Sequence, residues 1–160
     1  MTQPSLAQQV LDVCLAHGHR VVTAESCTGG MVSAALTDIA GSSKAVLGGI
    51  CTYSNGMKRD LLGVSAETLQ AHGAVSEEVA REMAEGALAR AGATLAVGIT
   101  GIAGPGGSEH KPEGRVCFAL AQTGRDTIAE TIEFGARGRA AVREASRDHA
   151  LRMLLQAPAP

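Results

Sequence analysis

Thr23-Ala24-Glu25-Ser26-Cys27-Thr28-Gly29-Gly30 is the segment on which the reading of the fold turns. Just before it, Arg20 to Ala24 reads as a short buried strand. Just after it, Gly29-Gly30 opens a helix through Met31, Ala34, Ala35 and Thr37, which Gly41-Ser42-Ser43 stops. A strand that feeds a helix directly is the first half of a crossover unit, and crossovers in one sheet join parallel strands.

Working outward, the same alternation continues. Pro4-Ser5 precedes a first helix carrying Leu6, Val10, Leu11, Cys14 and Leu15 at helical spacing and ending at Gly18. Ala45 to Tyr53 predicts a second strand. Asn55-Gly56 predicts a turn, followed by a short helix from Met57 to Leu62. Ser76 is the expected N-cap of the longest helix, with Val79, Met83, Ala87 and Leu88 on one stripe up to Gly92. Thr94 to Thr100 predicts a third strand, and Gly101 to Gly114 a long glycine-rich loop. Arg115 to Gln122 and Thr127 to Phe134 predict two strands, antiparallel because only Thr123 to Asp126 joins them. A helix from about Gly138 to Leu155 follows, and Ala157 to Pro160 reads as a frayed tail. The element order is α-β-α-β-α-α-β-β-β-α.

The chain has 160 residues, of which 45% are hydrophobic, with two Phe, one Tyr and no Trp. One core built from Ala, Val, Leu and Ile is expected, burying roughly 70% of the unfolded surface. Fourteen basic and sixteen acidic side chains, without a run of like charge, argue against nucleic-acid binding. Arg137, Arg139, Arg143, Arg147 and Arg152 gather late in the chain, where they either serve a phosphate or decorate a solvated helix face. The cysteines show no metal-ligand or redox spacing, so no metal site is signalled. Met1 to Ser5 lacks a basic start before an apolar run, and no apolar stretch reaches membrane length; a reducing cytoplasm and no membrane contact are expected.

Parallel strands end on one edge of the sheet, which gathers Ser26, Lys58 and the loop Gly101 to Gly107. A serine between a strand and a glycine-opened helix has the mechanics of a nucleophile elbow, and the helix N-terminus there would favour an oxyanion or a phosphate. Read without further context, the same serine is more often a helix N-cap. Cys27, beside it, reads as a small buried hydrophobe. Lys58 is either a solvated charge or, with its pKa lowered by burial, a base for Ser26. The glycine loop is either a nest for phosphate or ribose, or a flexible connector.

Six segments together carry a more specific signal: TAESCTGG at Thr23 to Gly30, GSS at Gly41 to Ser43, TYSN at Thr52 to Asn55 followed by Lys58, HGAVSEEVA at His72 to Ala80, TGIAGPGG at Thr100 to Gly107, and Lys111-Pro112. In this order the chain resembles the CinA C-terminal domain family, the nicotinamide-nucleotide amidases, from about Leu6 to Leu155. The resemblance implies a three-layer α/β/α domain with a five-stranded mixed, mostly parallel sheet. It also implies a metal-free and cofactor-free reaction, in which the carboxamide of nicotinamide mononucleotide is hydrolysed to nicotinate mononucleotide and ammonia. Ser26 maps onto the family nucleophile and Lys58 onto its base. Backbone N–H groups near Ser26 to Thr28 are expected to hold the oxyanion. The expected substrate contacts are Thr28, Gly29, Gly30, Tyr53, Asn55, Thr100, Gly101, Gly104, Gly106, Arg139 and Arg143, the two arginines as phosphate ligands.

Two departures from the family pattern stand out. Phe134-Gly135-Ala136-Arg137-Gly138-Arg139 lacks the Asp that precedes the family arginine, although Arg139 and Arg143 keep the four-residue separation. Pro112-Glu113-Gly114-Arg115 replaces the usual Pro-Val-Gly-Thr, which predicts extra charge at the pocket rim. The family domain can also be the tail of a larger protein carrying a pyrophosphatase-like domain; here a single stand-alone domain, 1–160, is expected, in a homo-oligomer. Two rival functions remain open, a catalytically silent nucleotide-binding regulatory module and a serine hydrolase of another small amide.

Overall fold

Four helices begin at a serine whose hydroxyl accepts the amide N–H three residues on: Ser5 from Gln8, Ser54 from Met57, Ser65 from Thr68 and Ser76 from Val79. Three of them end at a left-handed glycine, Gly18, Gly63 or Gly92, whose N–H turns back onto the last carbonyls. These local signals delimit the elements of the computed structural model, which describes residues 2–160. In chain order they are α1 (Leu6–His17), β1 (Val21–Glu25), α2 (Met31–Thr37), a 3-10 turn (Ser42–Lys44), β2 (Val46–Cys51), α3 (Asn55–Leu62), α4 (Ala66–His72), α5 (Glu77–Ala91), β3 (Leu95–Gly101), β4 (Arg115–Gln122), β5 (Ile128–Glu133) and α6 (Arg139–Leu155).

The strands form one mixed sheet in the order β2-β1-β3-β4-β5. β1 pairs in parallel with both β2 and β3, and β4 runs antiparallel to β3 and β5. Alternation along the central strands divides the core by size. Val21, Leu95, Val97, Ile99, Val116, Phe118 and Leu120 face α1, α2 and α6. Val22, Ala24, Ala96, Cys117, Ala119 and Ala121 face α5. The small face draws α5 inward: a Cβ at Gly98 would sit 2.6 Å from the Ala80 carbonyl oxygen, so only glycine permits this approach. A core nearly devoid of aromatics thus becomes close helix-on-sheet packing, and the architecture is three-layer α/β/α.

Three expectations are corrected. The helix carrying Lys58 begins at Asn55 rather than Met57, because Ser54 caps it. α4 was not anticipated: it has no buried residue and therefore no apolar stripe to announce it. The tail is docked rather than frayed. Ala157 is buried, and the Pro158 carbonyl accepts from His19 Nε2 at 3.0 Å and Gln122 Nε2 at 2.9 Å. Among the described residues no helix is long and apolar enough to cross a membrane.

Candidate active site

Because β1, β2 and β3 are parallel, their carboxyl ends open on one edge, and each hands over to a loop there: Ser26 to Gly30, Thr52 to Ser54, and Ile102 to Gly114. Between them lies a cavity of about 330 Å³, walled by Ser26, Cys27, Tyr53, Asn55, Lys58, Thr100, the glycine loop, Glu109 and Arg139.

Ser26 is not a helix cap. The cap position of α2 is Gly30, four residues later, and carries no side-chain bond. Ser26 Oγ instead accepts from Lys58 Nζ at 2.8 Å. Lys58 lies in the first turns of α3 on its inward face, one turn before buried Leu62, and is 1% exposed. Its Nζ also donates to the carbonyls of Thr52 at 2.9 Å and Tyr53 at 3.0 Å. Burial pushes the ammonium pKa down from 10.5 to about 8, with Glu109 acting in the opposite sense. Two of the three tetrahedral positions on nitrogen are therefore spent on carbonyls, which only accept. In the neutral amine the lone pair is left for the serine hydroxyl. Cys27 packs into the core, where burial pushes its thiol up to about 12, far from a reactive thiolate at neutral pH.

Glu25, the last residue of β1, has no contact with solvent. Its carboxylate accepts from Thr23 Oγ1 at 3.0 Å, Thr28 Oγ1 at 2.7 Å, and the amides of Val32 and Ser33, each at 3.0 Å. This corrects two expectations. In the first turn of α2 the Val32 and Ser33 N–H groups are occupied by the protein's own carboxylate and the Met31 N–H by the Thr28 carbonyl, so none is free for an oxyanion or a phosphate. Thr28 is turned inward to the same carboxylate, fully buried and outside the cavity wall. Gly29 and Gly30 also lie outside that wall; they supply the left-handed turn, at φ 58° and 104°, into the helix. The turn closes by Gly29 N–H to the Ser26 carbonyl at 3.1 Å, while Ser26 N–H bonds the Ile99 carbonyl at 3.0 Å. The amides of Cys27 and Thr28 take no part in this bonding.

The glycine loop is pinned rather than a loose connector. Gly106 N–H donates to Glu113 Oε1 at 3.1 Å, so that amide is already taken by a carboxylate of the chain itself. Glu113 is therefore a staple beneath the loop, and the acid on the cavity rim is Glu109. Lys111 Nζ fastens the loop's far side to the carbonyls of His72 at 2.6 Å and Val75 at 2.5 Å. Thr100 Oγ1 donates to the Ala74 carbonyl at 2.8 Å, so its hydroxyl proton is spent on the wall. Gly101, Gly104 and Gly106 line the cavity, as do Tyr53 and Asn55.

The two arginines separate. Arg139 lines the cavity and ties its mouth, donating to the Gly104 carbonyl at 2.7 Å and to Tyr53 Oη at 2.9 Å. Arg143 is absent from the wall, and its Nε and Nη2 donate to the carbonyls of Cys27 at 3.0 Å and Thr28 at 3.5 Å. No group of three or more His, Cys, Asp or Glu among the described residues could hold a metal ion. Glu25 and Glu109 were missed by sequence reasoning, whereas Glu113 was expected as rim charge and lies outside the cavity wall instead. Of the two missed, only Glu25 carried a signal, an acid abutting a strand with no solvent face.

The family model for the CinA C-terminal domain matches residues 3–157, nearly the whole chain. The chain belongs to the CinA C-terminal domain family. A CinA-like protein of Mycolicibacterium gilvum is 52% identical over 141 residues, covering 88% of this chain and 33% of the relative. One from Prochlorococcus marinus is 49% identical over 144 residues, with 89% and 33% covered. The chain thus spans about a third of the length of these curated relatives. Among solved structures, the competence/damage inducible protein CihA of Agrobacterium tumefaciens superposes with a TM-score of 0.90 at 45% identity, over 97% of this chain and 98% of that one. A CinA superfamily protein of Escherichia coli gives 0.88 at 34% identity, over 98% and 94%. The CinA fold therefore accounts for the whole sheet and for all three loops around the cavity.

Proposed function

We propose that this CinA domain is an amidohydrolase that converts the carboxamide of nicotinamide mononucleotide to the acid, with release of ammonia, by a serine–lysine mechanism. The observation that carries the reading is the environment of Lys58 Nζ, which bonds two carbonyls and one serine oxygen on a side chain all but buried. A lysine so held is expensive to keep charged, and a pKa of about 8 leaves about one-tenth of the molecules with a neutral amine at pH 7. A pure binding site has no use for that cost.

In the proposed cycle Lys58 accepts the Ser26 hydroxyl proton as Oγ attacks the amide carbon. Amide N–H groups of the Cys27 turn stabilise the oxyanion, at about 3 kcal/mol per donor. Collapse breaks the C–N bond as the Lys58 ammonium protonates the departing nitrogen, and ammonia leaves. Water then attacks the acyl-Ser26 carbonyl, again giving its proton to Lys58, which returns it to Ser26 as the carboxylate product forms. Arg139 at the mouth suits an anionic phosphate, and the cavity volume falls within the range of small-ligand sites.

Ammonia release is to be measured with nicotinamide mononucleotide, nicotinamide riboside and nicotinamide side by side, in the unmodified protein and in Ser26→Ala and Lys58→Ala. The expected result is release from the mononucleotide that both substitutions abolish without loss of folding. Full activity in Ser26→Ala sinks the mechanism. Binding of the mononucleotide without ammonia release makes the domain a silent regulatory module.

A further inference from the structure

Arg143 lies four residues beyond Arg139, one helical turn along α6, yet the two guanidinium groups reach different targets. Arg143 spends Nε on the Cys27 carbonyl and Nη2 on the Thr28 carbonyl, both in the turn that carries Ser26, and it forms no part of the cavity wall. The packing is close, since a Cβ at Gly29 would lie 3.2 Å from Arg143 Nη2. A guanidinium committed in this way is poorly placed to serve a phosphate.

We infer that Arg143 is a positioning residue for the oxyanion donors, acting through the peptide groups of the Ser26 turn. In a trans peptide the C=O and N–H of one unit point in opposite directions. Holding the Cys27 carbonyl on the α6 side therefore aims the Thr28 N–H away from α6. Holding the Thr28 carbonyl aims the Gly29 N–H at the Ser26 carbonyl, where the 3.1 Å bond is found. That bond in turn fixes the unit whose other end is the Cys27 N–H. Cys27 lines the cavity beside Ser26, and the Cys27 and Thr28 amides are the ones that take no part in closing the turn. A cation at the head of such a chain also polarises each peptide along it, strengthening the terminal donors. Glu25 anchors the opposite side of the turn through Thr28 Oγ1. Anion-stabilising amides are thus set from α6, more than a hundred residues away in sequence.

The inference rests on the serine-acyl reading of the site, and its test separates the two. Arg143→Gln and Arg143→Lys are compared with the unmodified protein after circular dichroism and melting confirm folding. Ser26 is titrated with a small fluorophosphonate, with the site of modification read by mass spectrometry, and ammonia release is followed on the mononucleotide and the riboside. A misaligned oxyanion hole should lower kcat and the Ser26 labelling rate together by about 10- to 100-fold. The factor should be the same on both substrates, KM should stay within about threefold, and Arg143→Lys should recover part of the loss. A rise in KM confined to the mononucleotide, with kcat and labelling unchanged, makes Arg143 a phosphate ligand and overturns the inference. If the unmodified protein labels at Ser26 but does not hydrolyse the mononucleotide, the substrate reading fails while the labelling ratio still decides Arg143. Absence of Ser26 labelling in the unmodified protein overturns the inference as well.

Discussion

Lys58 Nζ and Ser26 Oγ meet at 2.8 Å across 32 residues of chain, with both side chains withdrawn from solvent. Activity that depends on the neutral amine should follow the titration of Lys58. kcat/KM is expected to rise with pH, bending near 8 and levelling above it, because only the unprotonated lysine accepts the serine proton. Lys58→Arg, whose guanidinium stays charged, should lose activity by about 10²- to 10⁴-fold at every pH. Ammonia release measured from pH 6 to 10 checks both, and a flat profile in the unmodified protein rules out Lys58 as the base.

The same burial couples stability to pH. In the folded chain Lys58 titrates at about 8, and in the unfolded chain near its ordinary 10.5. Between these values the unfolded state binds a proton that the folded state does not, so stability rises with pH across that window. Below 8 the full cost of a buried ammonium is present, about 3 kcal/mol. Urea unfolding at pH 7 and pH 10 should show the unmodified protein gaining on Lys58→Met by up to that amount. A difference independent of pH would contradict the argument.

Glu25 gathers two hydroxyls and two helix amides on one buried carboxylate. Glu25→Ala leaves those four donors without an acceptor, and hydrogen bonds to a charged group are worth about 1.5 to 3 kcal/mol each, only part of which relaxation recovers. A loss of at least about 3 kcal/mol is expected by urea denaturation, with a smaller loss in Glu25→Gln.

Gly86 on α5 touches the end of α3. A Cβ there would lie 1.9 Å from the Leu62 carbonyl oxygen, so Gly86→Ala must push the two helices apart. Overpacking of this kind costs about 1 to 3 kcal/mol. Because Lys58 lies one turn before Leu62 on the same helix, the substitution should also slow ammonia release, although Gly86 does not line the cavity. A melting curve and a kcat measurement on one preparation test both effects.

Arg139 at the cavity mouth is the remaining candidate for the phosphate. Arg139→Ala should raise KM for the mononucleotide by about 10- to 100-fold, the worth of a charge-assisted bond, and leave the riboside little changed. The Tyr53 hydroxyl, on a side chain 66% exposed, bonds only the same guanidinium; Tyr53→Phe should leave the melting temperature almost unmoved and raise KM for the mononucleotide mildly. Equal effects on both substrates would remove Arg139 from the phosphate.

Much of the scaffold was legible along the chain. Capping serines, terminating glycines and apolar runs are local, and they delimited α1, α5 and the central strands to within a few residues. The four-residue turn Thr123 to Asp126 was enough to impose antiparallel pairing of β4 and β5. α4 was not legible, because it has no fully buried residue and only Leu69 packs partly on the core, too little to write a periodic pattern.

The site divides along the same line. Sequence alone determined that a serine, a lysine and a glycine loop follow three parallel strands, since strand direction follows from crossover connections and brings carboxyl ends to one edge. It left the partner of each polar group open. By local pattern Ser26 reads more readily as a cap than as a nucleophile, Lys58 as solvated or buried, and Arg139 and Arg143 as equivalent. Tertiary structure alone decided that Lys58 turns inward to Ser26, that Glu25 and Glu113 occupy backbone N–H groups otherwise open to an anion, and that Arg143 serves the turn rather than the cavity. The physical reason is one of range. Burial periodicity and turn chemistry act over a few residues, whereas a buried donor takes whichever acceptor packing brings within 3 Å, and here those acceptors lie from a few residues to more than a hundred away.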